Sequence, residues 1–181
     1  MKIGCLGWGS LLWDSKGLPT RGVWFTDGPF LPIEFARQSK DDRITLVLVD
    51  GVSLVRSLWV LLSAVSMDDA TKALAKREET PKKHIGVWTP DSRKETGFQQ
   101  LIGEWAQRMT LDAVVWTALP PRFKKEDRAP AAQEVISHLS ALSGDTRKRA
   151  EEYIRMAPRQ IDTDYRRKIE SVFHWSPLSK I

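Results

Sequence analysis

The first two thirds of the chain consist of short apolar runs separated by clusters of glycine, proline and polar residues. Runs of this length are typical of β-strands, whereas amphipathic helices need a longer pattern of period 3.6. Asp50-Gly51 favours a two-residue hairpin between the runs at residues 44–49 and 54–62, because both turn positions favour positive φ. Residues 17–32 contain several glycines and prolines and predict an irregular connection. The predicted strands cover residues 2–6, 33–38, 44–49, 54–62, 84–88 and 111–118.

Apolar residues at helical spacing predict a first helix that begins after Ser66 and ends at Thr80-Pro81. Ser66 and Asp69 form a capping-box-like pair, in which the serine hydroxyl accepts a backbone hydrogen bond near the helix start. A second amphipathic helix is predicted over residues 98–109. Strands with scattered helices, followed by helices alone, predict an α+β fold. Three further helices are predicted in the last third, starting near Pro130, Asp145 and Tyr165.

The length of 181 residues suits a single domain with a core of its own. The one cysteine, Cys5, cannot form an internal disulfide or build a zinc site of the Cys-cluster type. A lone cysteine is typical of a reducing compartment, so we expect a cytoplasmic protein. No window holds about 18–20 uninterrupted apolar residues, and the glycine-broken start of the chain is too short for a signal peptide. We therefore expect no membrane partner.

The formal net charge is +5, and the charged residues are distributed unevenly. Residues 1–120 contain 15 basic and 14 acidic side chains, whereas residues 121–181 contain 13 basic and 9 acidic ones. Acidic residues such as Glu126, Asp127 and Glu134 are interleaved with the cations of the last third. Such mixing is typical of solvated helical faces rather than of grooves that follow a phosphate backbone. We therefore expect no nucleic-acid partner.

Trp8-Gly9-Ser10-Leu11 follows the first predicted strand and is the first candidate site. A backbone without Cβ atoms lets a ligand approach closely, and consecutive N–H groups can hold an anion or a polarised carbonyl oxygen. The segment lacks the third glycine of a dinucleotide-binding loop and the Gly-x-Ser-x-Gly order of a nucleophile elbow. Trp8, beside the glycine loop, is placed to form a pocket wall. The alternative is a tight strand-to-turn corner without a ligand.

Glu78 falls on the apolar stripe of the first predicted helix, whereas Glu79 is rotated by about 100° toward solvent. Burial disfavours the ionised form of a carboxyl group, and so does the partial negative charge of a helix C-terminus. A carboxyl group in such surroundings suits a general base that works near neutral pH. The alternatives are a buried ion pair with Arg77, Lys76 or Arg37, and a frayed last turn that leaves Glu78 in water.

The other nucleophilic and metal-ligating residues form no motif. His84, His138 and His174 stand far apart and lack metal-ligand spacing such as i, i+4. We expect His84 and His138 to be surface or capping side chains, and we expect no metal site. The sequence selects no Ser/His/Asp triad. Cys5 lies inside the first predicted strand and is expected to behave as a small hydrophobic residue.

Three segments together match a known pattern, in the order Trp8-Gly9-Ser10-Leu11-Leu12, Phe35-Ala36-Arg37-Gln38-Ser39 and Leu74-Ala75-Lys76-Arg77-Glu78. They resemble the γ-glutamylcyclotransferase-like family. Its members begin with a strand and a loop of the type Tyr-Gly-Ser-Asn/Leu-Leu, and continue through a strand that ends near a serine. Their helix ends in a Leu-x-x-x-Glu or Leu-x-x-Arg-Glu element, and the Arg-Glu form is most similar to the glutathione-degrading, ChaC-type branch. The resemblance covers roughly residues 2–120 and leaves the helical C-terminal part unexplained.

The resemblance implies a small mixed β-barrel flanked by helices, with the pocket at the mouth of the barrel. It is consistent with one domain over residues 1–181, built from a core of about residues 2–120 and a helical extension over about residues 130–175. The implied reaction cyclises a γ-glutamyl amine or peptide to 5-oxoproline and releases the amine, a lyase- or acyltransferase-type step without a cofactor. The implied site consists of Glu78 as general acid/base, with Trp8, Gly9, Ser10, Leu11 and Ser39 as substrate-binding residues.

Three positions depart from the family pattern. Trp8 replaces the usual tyrosine and removes its hydroxyl group, and Leu11 stands in place of asparagine. Glu79-Thr80 follows Glu78 where a glycine is usual, so we expect the chain to leave the helix differently. The second hypothesis is a non-catalytic module of the same fold that binds a small carboxylate or a protein partner. The sequence leaves open which γ-glutamyl compound is used and which oligomeric state is formed.

Overall fold

The computed structural model describes residues 1–92 and 97–178. Contacts divide the chain into two compact units, and each is described by itself. The prediction of a single domain is not tested by this division and stays a prediction. The first unit comprises Met1–Gly7, Asp14–Leu31 and Arg56–Leu119, and the second unit comprises Trp8–Trp13, Pro32–Val55 and the chain from Pro120 onward.

The described residues form nine β-strands and five α-helices, so the predicted α+β class is confirmed. The strands are β1 (Ile3–Gly7), β2 (Thr20–Phe25), β3 (Phe30–Leu31), β4 (Ile33–Gln38), β5 (Ile44–Leu48), β6 (Val55–Arg56), β7 (Leu58–Leu62), β8 (Ile85–Trp88) and β9 (Ala113–Thr117). The helices are α1 (Met67–Arg77), α2 (Phe98–Arg108), α3 (Ala132–Ala141), α4 (Gly144–Met156) and α5 (Asp164–Phe173). Within the described ranges, no helix is both long enough and apolar enough to cross a membrane.

The first unit is built on a five-stranded mixed sheet with the strand order β2-β7-β1-β9-β8. β1 lies in the middle, antiparallel to β7 with Ile3 opposite Leu62, and parallel to β9 with Ile3 opposite Ala113. All five residues of β1 are buried, which is why its sequence is a continuous apolar run rather than an alternating one. β2 and β8 are the edge strands of this sheet. The described strands form no closed barrel, so the barrel stays a prediction.

Helix α1 begins where the sequence predicts. Ser66 is its N-cap residue, and the Ser66 hydroxyl oxygen accepts a hydrogen bond of 3.1 Å from the backbone N–H of Asp69. The helix buries Ala70 and Leu74 and packs against β8 and β9. Because the apolar stripe of α1 faces this sheet, a side chain on the same stripe at the helix end is also directed into the first unit.

The second unit contains an antiparallel hairpin of β4 and β5, with Ile33 opposite Leu48 and Gln38 opposite Ile44. Helix α4 packs against β5, helix α5 packs against β4, and helix α3 packs against α5. The three C-terminal helices predicted from the sequence are therefore present. Helix α4 starts after the N-cap residue Ser143 rather than at Asp145.

A buried polar network joins the hairpin of the second unit to helix α5. Glu34 on β4 is 2% exposed and accepts hydrogen bonds from the Thr163 hydroxyl and from the backbone N–H groups of Phe35 and Tyr165. Arg166 is 1% exposed. Burying a charge costs free energy unless hydrogen bonds compensate for it. In the described part of the chain, Arg166 Nε has no hydrogen bond and lies 3.6 Å from Glu170 Oε1. The Arg166 guanidinium donates to four backbone carbonyls, those of Ile154, Ala157, Pro158 and Ile161.

Two strand predictions are wrong. Asp50-Gly51 does not close a hairpin between residues 44–49 and 54–62, because β5 pairs with β4 while β7 pairs with β1 and β2. The apolar run over residues 54–62 is broken at Ser57, and its second half is a buried strand that needs a neighbour on each side. Residues 17–32 contain β2 and β3 instead of an irregular connection, since β2 is a mostly exposed edge strand without an apolar run.

Candidate functional site

Glu78 is the residue that follows the last residue of α1, and its backbone N–H still donates to the carbonyl of Leu74 at 2.9 Å. The Glu78 side chain is 15% exposed, whereas the side chain of Glu79 is 76% exposed. Glu79 adopts a φ of 51°, so the chain leaves the helix through a left-handed residue without a glycine. The predicted orientation of the two glutamates is therefore confirmed.

The Glu78 carboxylate is paired with the neighbouring arginine. Arg77 Nη1 lies 2.6 Å from Glu78 Oε1, and the Arg77 side chain is only 5% exposed. Arg77 Nε and Nη2 donate to the backbone carbonyl of Asp14 at 3.1 and 2.5 Å, which fixes the guanidinium in place. Of the alternatives open at the sequence level, the ion pair with Arg77 is present. In the described ranges, no protein donor lies within hydrogen-bonding distance of the second carboxylate oxygen, Oε2.

Cys5 lies on β1, and its thiol interacts electrostatically with both Glu78 and Arg77. It is fully buried and forms no disulfide. Burial raises the pKa of the Cys5 thiol, the negative charge of Glu78 raises it further, and the positive charge of Arg77 opposes the rise. The thiol therefore stays protonated and does not serve as a thiolate nucleophile. The interpretation of Cys5 as a small hydrophobic residue is confirmed.

The glycine loop forms a compact turn in the second unit. Residues Ser10–Leu12 form a 3-10 turn, in which the N–H of Leu12 donates to the carbonyl of Gly9 at 3.0 Å. Trp8 and Leu11 are buried, at 5% and 4% exposure. The indole Nε1 of Trp8 donates to the carbonyl of Leu46 at 3.3 Å. The burial of both side chains gives this loop a packing role in the second unit.

Gly9 is required by the close approach of a tyrosine. A Cβ atom at position 9 would lie 2.5 Å from the hydroxyl oxygen of Tyr153. That hydroxyl accepts a hydrogen bond of 3.3 Å from the backbone N–H of Leu46, so it is held in position. The φ of Gly9 is −129°, which any residue can adopt. Packing against Tyr153 therefore accounts for this glycine, as the tight-corner alternative requires.

Ser39 follows β4 and lines a cavity of about 600 Å³ in the second unit. Its hydroxyl donates to the carboxylate of Asp41 at 2.6 Å, and its backbone N–H donates to the carbonyl of Arg43 at 2.9 Å. Ser39 therefore helps to hold the turn between β4 and β5, and it also faces the cavity. The cavity is lined by Arg37, Gln38, Ser39, Lys40, Asp42, Arg122, Lys124 and Lys125.

The residues of the predicted site are divided between the two units. Glu78 belongs to the first unit, whereas Trp8, the Gly9–Leu11 segment and Ser39 belong to the second. A single pocket that holds the Glu78 carboxylate and the Gly9–Leu11 amides therefore stays a prediction. Among the residues that the structure describes, no group of three or more His, Cys, Asp or Glu side chains is arranged to hold a metal ion.

The basic cavity residues were missed at the sequence level. Arg37, Lys40 and Arg122, together with Lys124-Lys125, come from distant parts of the chain and meet in one unit. The only local indication is the density of cations directly after Pro120-Pro121.

No model of a known protein family and no curated protein sequence matches this chain.

Proposed function

We propose that the chain is a γ-glutamylcyclotransferase-like enzyme that converts a γ-glutamyl amine or peptide to 5-oxoproline and releases the amine. The observation that carries the proposal is the state of Glu78. Its carboxylate is largely buried at the end of α1, one oxygen is held by Arg77, and the other meets no donor in the described ranges. A fixed, desolvated carboxylate with one open oxygen suits a group that exchanges a proton with a substrate.

The reaction needs two protons to be moved from the attacking nitrogen to the leaving nitrogen. Glu78 Oε2 accepts a proton from the α-ammonium group of the substrate, and the freed amine nitrogen attacks the γ-carbonyl carbon of the same molecule. The resulting tetrahedral intermediate collapses when the bond from the γ-carbon to the leaving nitrogen breaks. Glu78 then returns the proton to that nitrogen, and in the same way moves the surplus proton of the ring nitrogen to the released amine. 5-Oxoproline and an ammonium ion leave, and Glu78 is ionised again. Because attack is intramolecular, orientation of the substrate supplies much of the rate.

Arg77 serves this chemistry as a positioning residue. Its Nη1 lies 2.6 Å from Glu78 Oε1 and fixes the orientation of the carboxylate. The two hydrogen bonds to the Asp14 carbonyl prevent the guanidinium from following the substrate. Arg77 therefore holds Oε1 while Oε2 reacts.

The substrate-binding part of the proposal rests on the resemblance. The backbone N–H groups of Gly9, Ser10 and Leu11 would hold the γ-glutamyl group, with Trp8 and Ser39 beside it. The family's barrel also belongs to this proposal, and the five-stranded sheet and the β4–β5 hairpin contain strands of the kind it needs. A cytoplasmic location belongs to it as well.

The second candidate is a non-catalytic module that binds a small carboxylate or a protein partner. Two observations favour it. The close approach of Tyr153 explains Gly9 without a ligand, and the ion pair with Arg77 explains Glu78 without a reaction. In this case Glu78→Gln would bind a small carboxylate about as well as the wild type, and neither protein would turn it over.

Incubation with a library of γ-glutamyl amines, amino acids and peptides, followed by measurement of 5-oxoproline, separates the two candidates. The proposal predicts release of 5-oxoproline from at least one compound. It further predicts that Glu78→Gln is inactive while Glu79→Gln, which removes the same charge one residue away, is active. A folded wild-type protein that releases no 5-oxoproline from any compound of the library would contradict the proposed enzyme activity and favour the non-catalytic binding module.

A further inference from the structure

The cavity of the second unit is strongly basic. Among the described residues, eight side chains line it; five of these are cationic and only Asp42 is acidic, so they carry an excess of four positive charges. Its volume of about 600 Å³ lies within the range of small-molecule sites, roughly 300–1,000 Å³. The cationic lining residues are Arg37, Lys40, Arg122, Lys124 and Lys125.

With the described residues, these five cations form none of the ion pairs that other cations of the same unit form. Arg128 is paired with Glu134 at 2.8 Å, and Arg43 with Asp41 at 2.8 Å. Within residues 1–92 and 97–178, no carboxylate oxygen lies within 4.0 Å of a charged nitrogen of the five lining cations. Asp127 and Glu134 interact electrostatically with Arg37 and Lys124, but neither forms an ion pair with them, so the positive charge of the cavity is only partly offset by the described part of the chain.

Backbone hydrogen bonds hold two of these cations side by side. The N–H of Gln38 donates to the carbonyl of Arg122 at 2.7 Å, and the N–H of Arg122 donates to the carbonyl of Ala36 at 3.1 Å. The backbones of Arg37 and Arg122 therefore form an isolated parallel β-bridge. Burial, together with the positive charge of Arg122, lowers the pKa of the Arg37 guanidinium. Arg37 Nη1 is fixed by the carbonyl of Pro120 at 2.6 Å. Two like charges are therefore held together by the fold.

Lys124 and Lys125 occupy the tip of a tight turn with unfavourable backbone angles. Their φ values are 49° and 69°, and the turn is closed by reciprocal hydrogen bonds of 2.9 Å between the backbones of Phe123 and Glu126. Positive φ at both central residues is the geometry that Asn-Gly prefers. Each lysine in this region costs about 1 kcal/mol or more relative to glycine. Two lysines in place of Asn-Gly point to a use for their charge.

We propose that this cavity binds a small molecule that carries two or more phosphate groups. A ligand with about three to four negative charges would neutralise the excess charge of the lining, whereas a monocarboxylate would leave most of the repulsion in place. Arginine binds phosphate oxygens through two parallel N–H groups, and lysine binds them as a point charge. The proposal stands on this cavity alone and does not depend on the proposed cyclotransferase activity.

Calorimetric titration with inorganic triphosphate, and separately with ATP, tests the proposal on the full chain. The decisive variant is K124N/K125G, which removes two charges and installs the residues that the turn prefers. We expect the affinity for triphosphate to fall about 10- to 100-fold, because contacts to two charged donors are lost. We expect the melting temperature to rise, because the backbone strain of the turn is relieved. The matched control is K83Q/K168Q, which removes two exposed positive charges elsewhere and should leave the affinity within about twofold.

Three results would overturn the proposal. The first is a wild-type protein that binds neither triphosphate nor ATP at millimolar concentration. The second is an equal loss of affinity in K83Q/K168Q, which would mean that net charge alone attracts the ligand. The third is a single-stranded RNA that binds more tightly than triphosphate and is weakened by K124N/K125G, which would assign the cavity to a nucleic acid. If K124N/K125G does not fold, Arg122→Gln is used in its place in the same calorimetric titration.

Discussion

Two adjacent glutamates at the end of α1 have opposite surroundings, and a rotation of about 100° per residue accounts for the difference. Glu78 continues the buried stripe of the helix, whereas Glu79 reaches solvent and pairs with Lys16. The sequence could therefore predict which glutamate is buried. It could not choose the partner of Glu78 among several nearby cations, because that choice depends on the carbonyl of Asp14, which anchors the Arg77 guanidinium.

Arg77→Met should reduce the free energy of unfolding by about 3–5 kcal/mol, because it leaves the Glu78 carboxylate buried without its partner. Urea denaturation measures the change. Lys76→Met, at an exposed position of the same helix, is the control and should change stability by less than about 0.5 kcal/mol. A loss below about 1 kcal/mol for Arg77→Met would mean that the pair behaves as an exposed one.

Glu34 gives the second unit a pH-dependent stability. Burial raises the pKa of the Glu34 carboxyl group above its ordinary value of 4.5, against the opposing hydrogen bonds from Thr163, Phe35 and Tyr165. The folded state then binds the Glu34 proton more tightly than the unfolded state does, so this contribution to the free energy of unfolding is full below pH 4.5 and is lost as the pH rises through the folded-state pKa.

Urea denaturation of the wild type and of Glu34→Gln at a series of pH values isolates that contribution. The difference in the free energy of unfolding, wild type minus variant, should decrease as the pH rises above 4.5 and then level off. The comparison with the variant removes the contributions of the other carboxylates. A difference that increases with pH would show that hydrogen bonding, not burial, dominates at Glu34.

At the level of elements, local sequence patterns predicted those helices, strands and caps that are determined by residues close together in the chain. The cap of α1 at Ser66, the central strand β1 and the amphipathic helix α2 follow from apolar spacing and capping chemistry. The hairpin assigned to Asp50-Gly51 failed because strand pairing is decided by partners distant in sequence. Strand β2 was missed because an exposed edge strand needs no apolar run.

The glycine loop is the element whose interpretation a substitution can decide. Gly9→Ala should lower the free energy of unfolding by about 1–3 kcal/mol, because the added Cβ meets the Tyr153 hydroxyl at 2.5 Å. Tyr153→Phe removes that hydroxyl, so the cost of Gly9→Ala should be smaller in the Tyr153→Phe background. The four proteins form a double-mutant cycle by urea denaturation. An equal cost in both backgrounds would show that the close approach of Tyr153 is not the reason for the glycine.

On the scale of the whole molecule, the cations of the last third are not all spread over solvated faces, as their mixing with acidic residues suggested. Arg167 and Arg128 form the expected surface pairs. The turn at Lys124-Lys125 instead joins cations from the end of β4 around one cavity. Composition gives the excess charge, but only the contact between Arg122 and the β4 backbone decides where that charge is concentrated.

The proposed activity places the proton transfer of the entire reaction on one carboxylate. The most direct test is the rate of 5-oxoproline release by Glu78→Gln and Glu79→Gln under identical conditions, with circular dichroism to show that both are folded. Loss of a general acid/base should lower the rate of Glu78→Gln by about 10²- to 10⁴-fold. Glu79→Gln should stay within about twofold of the wild type, because the Glu79 side chain is 76% exposed. A folded Glu78→Gln variant that releases 5-oxoproline at the wild-type rate would contradict the proposed role of Glu78.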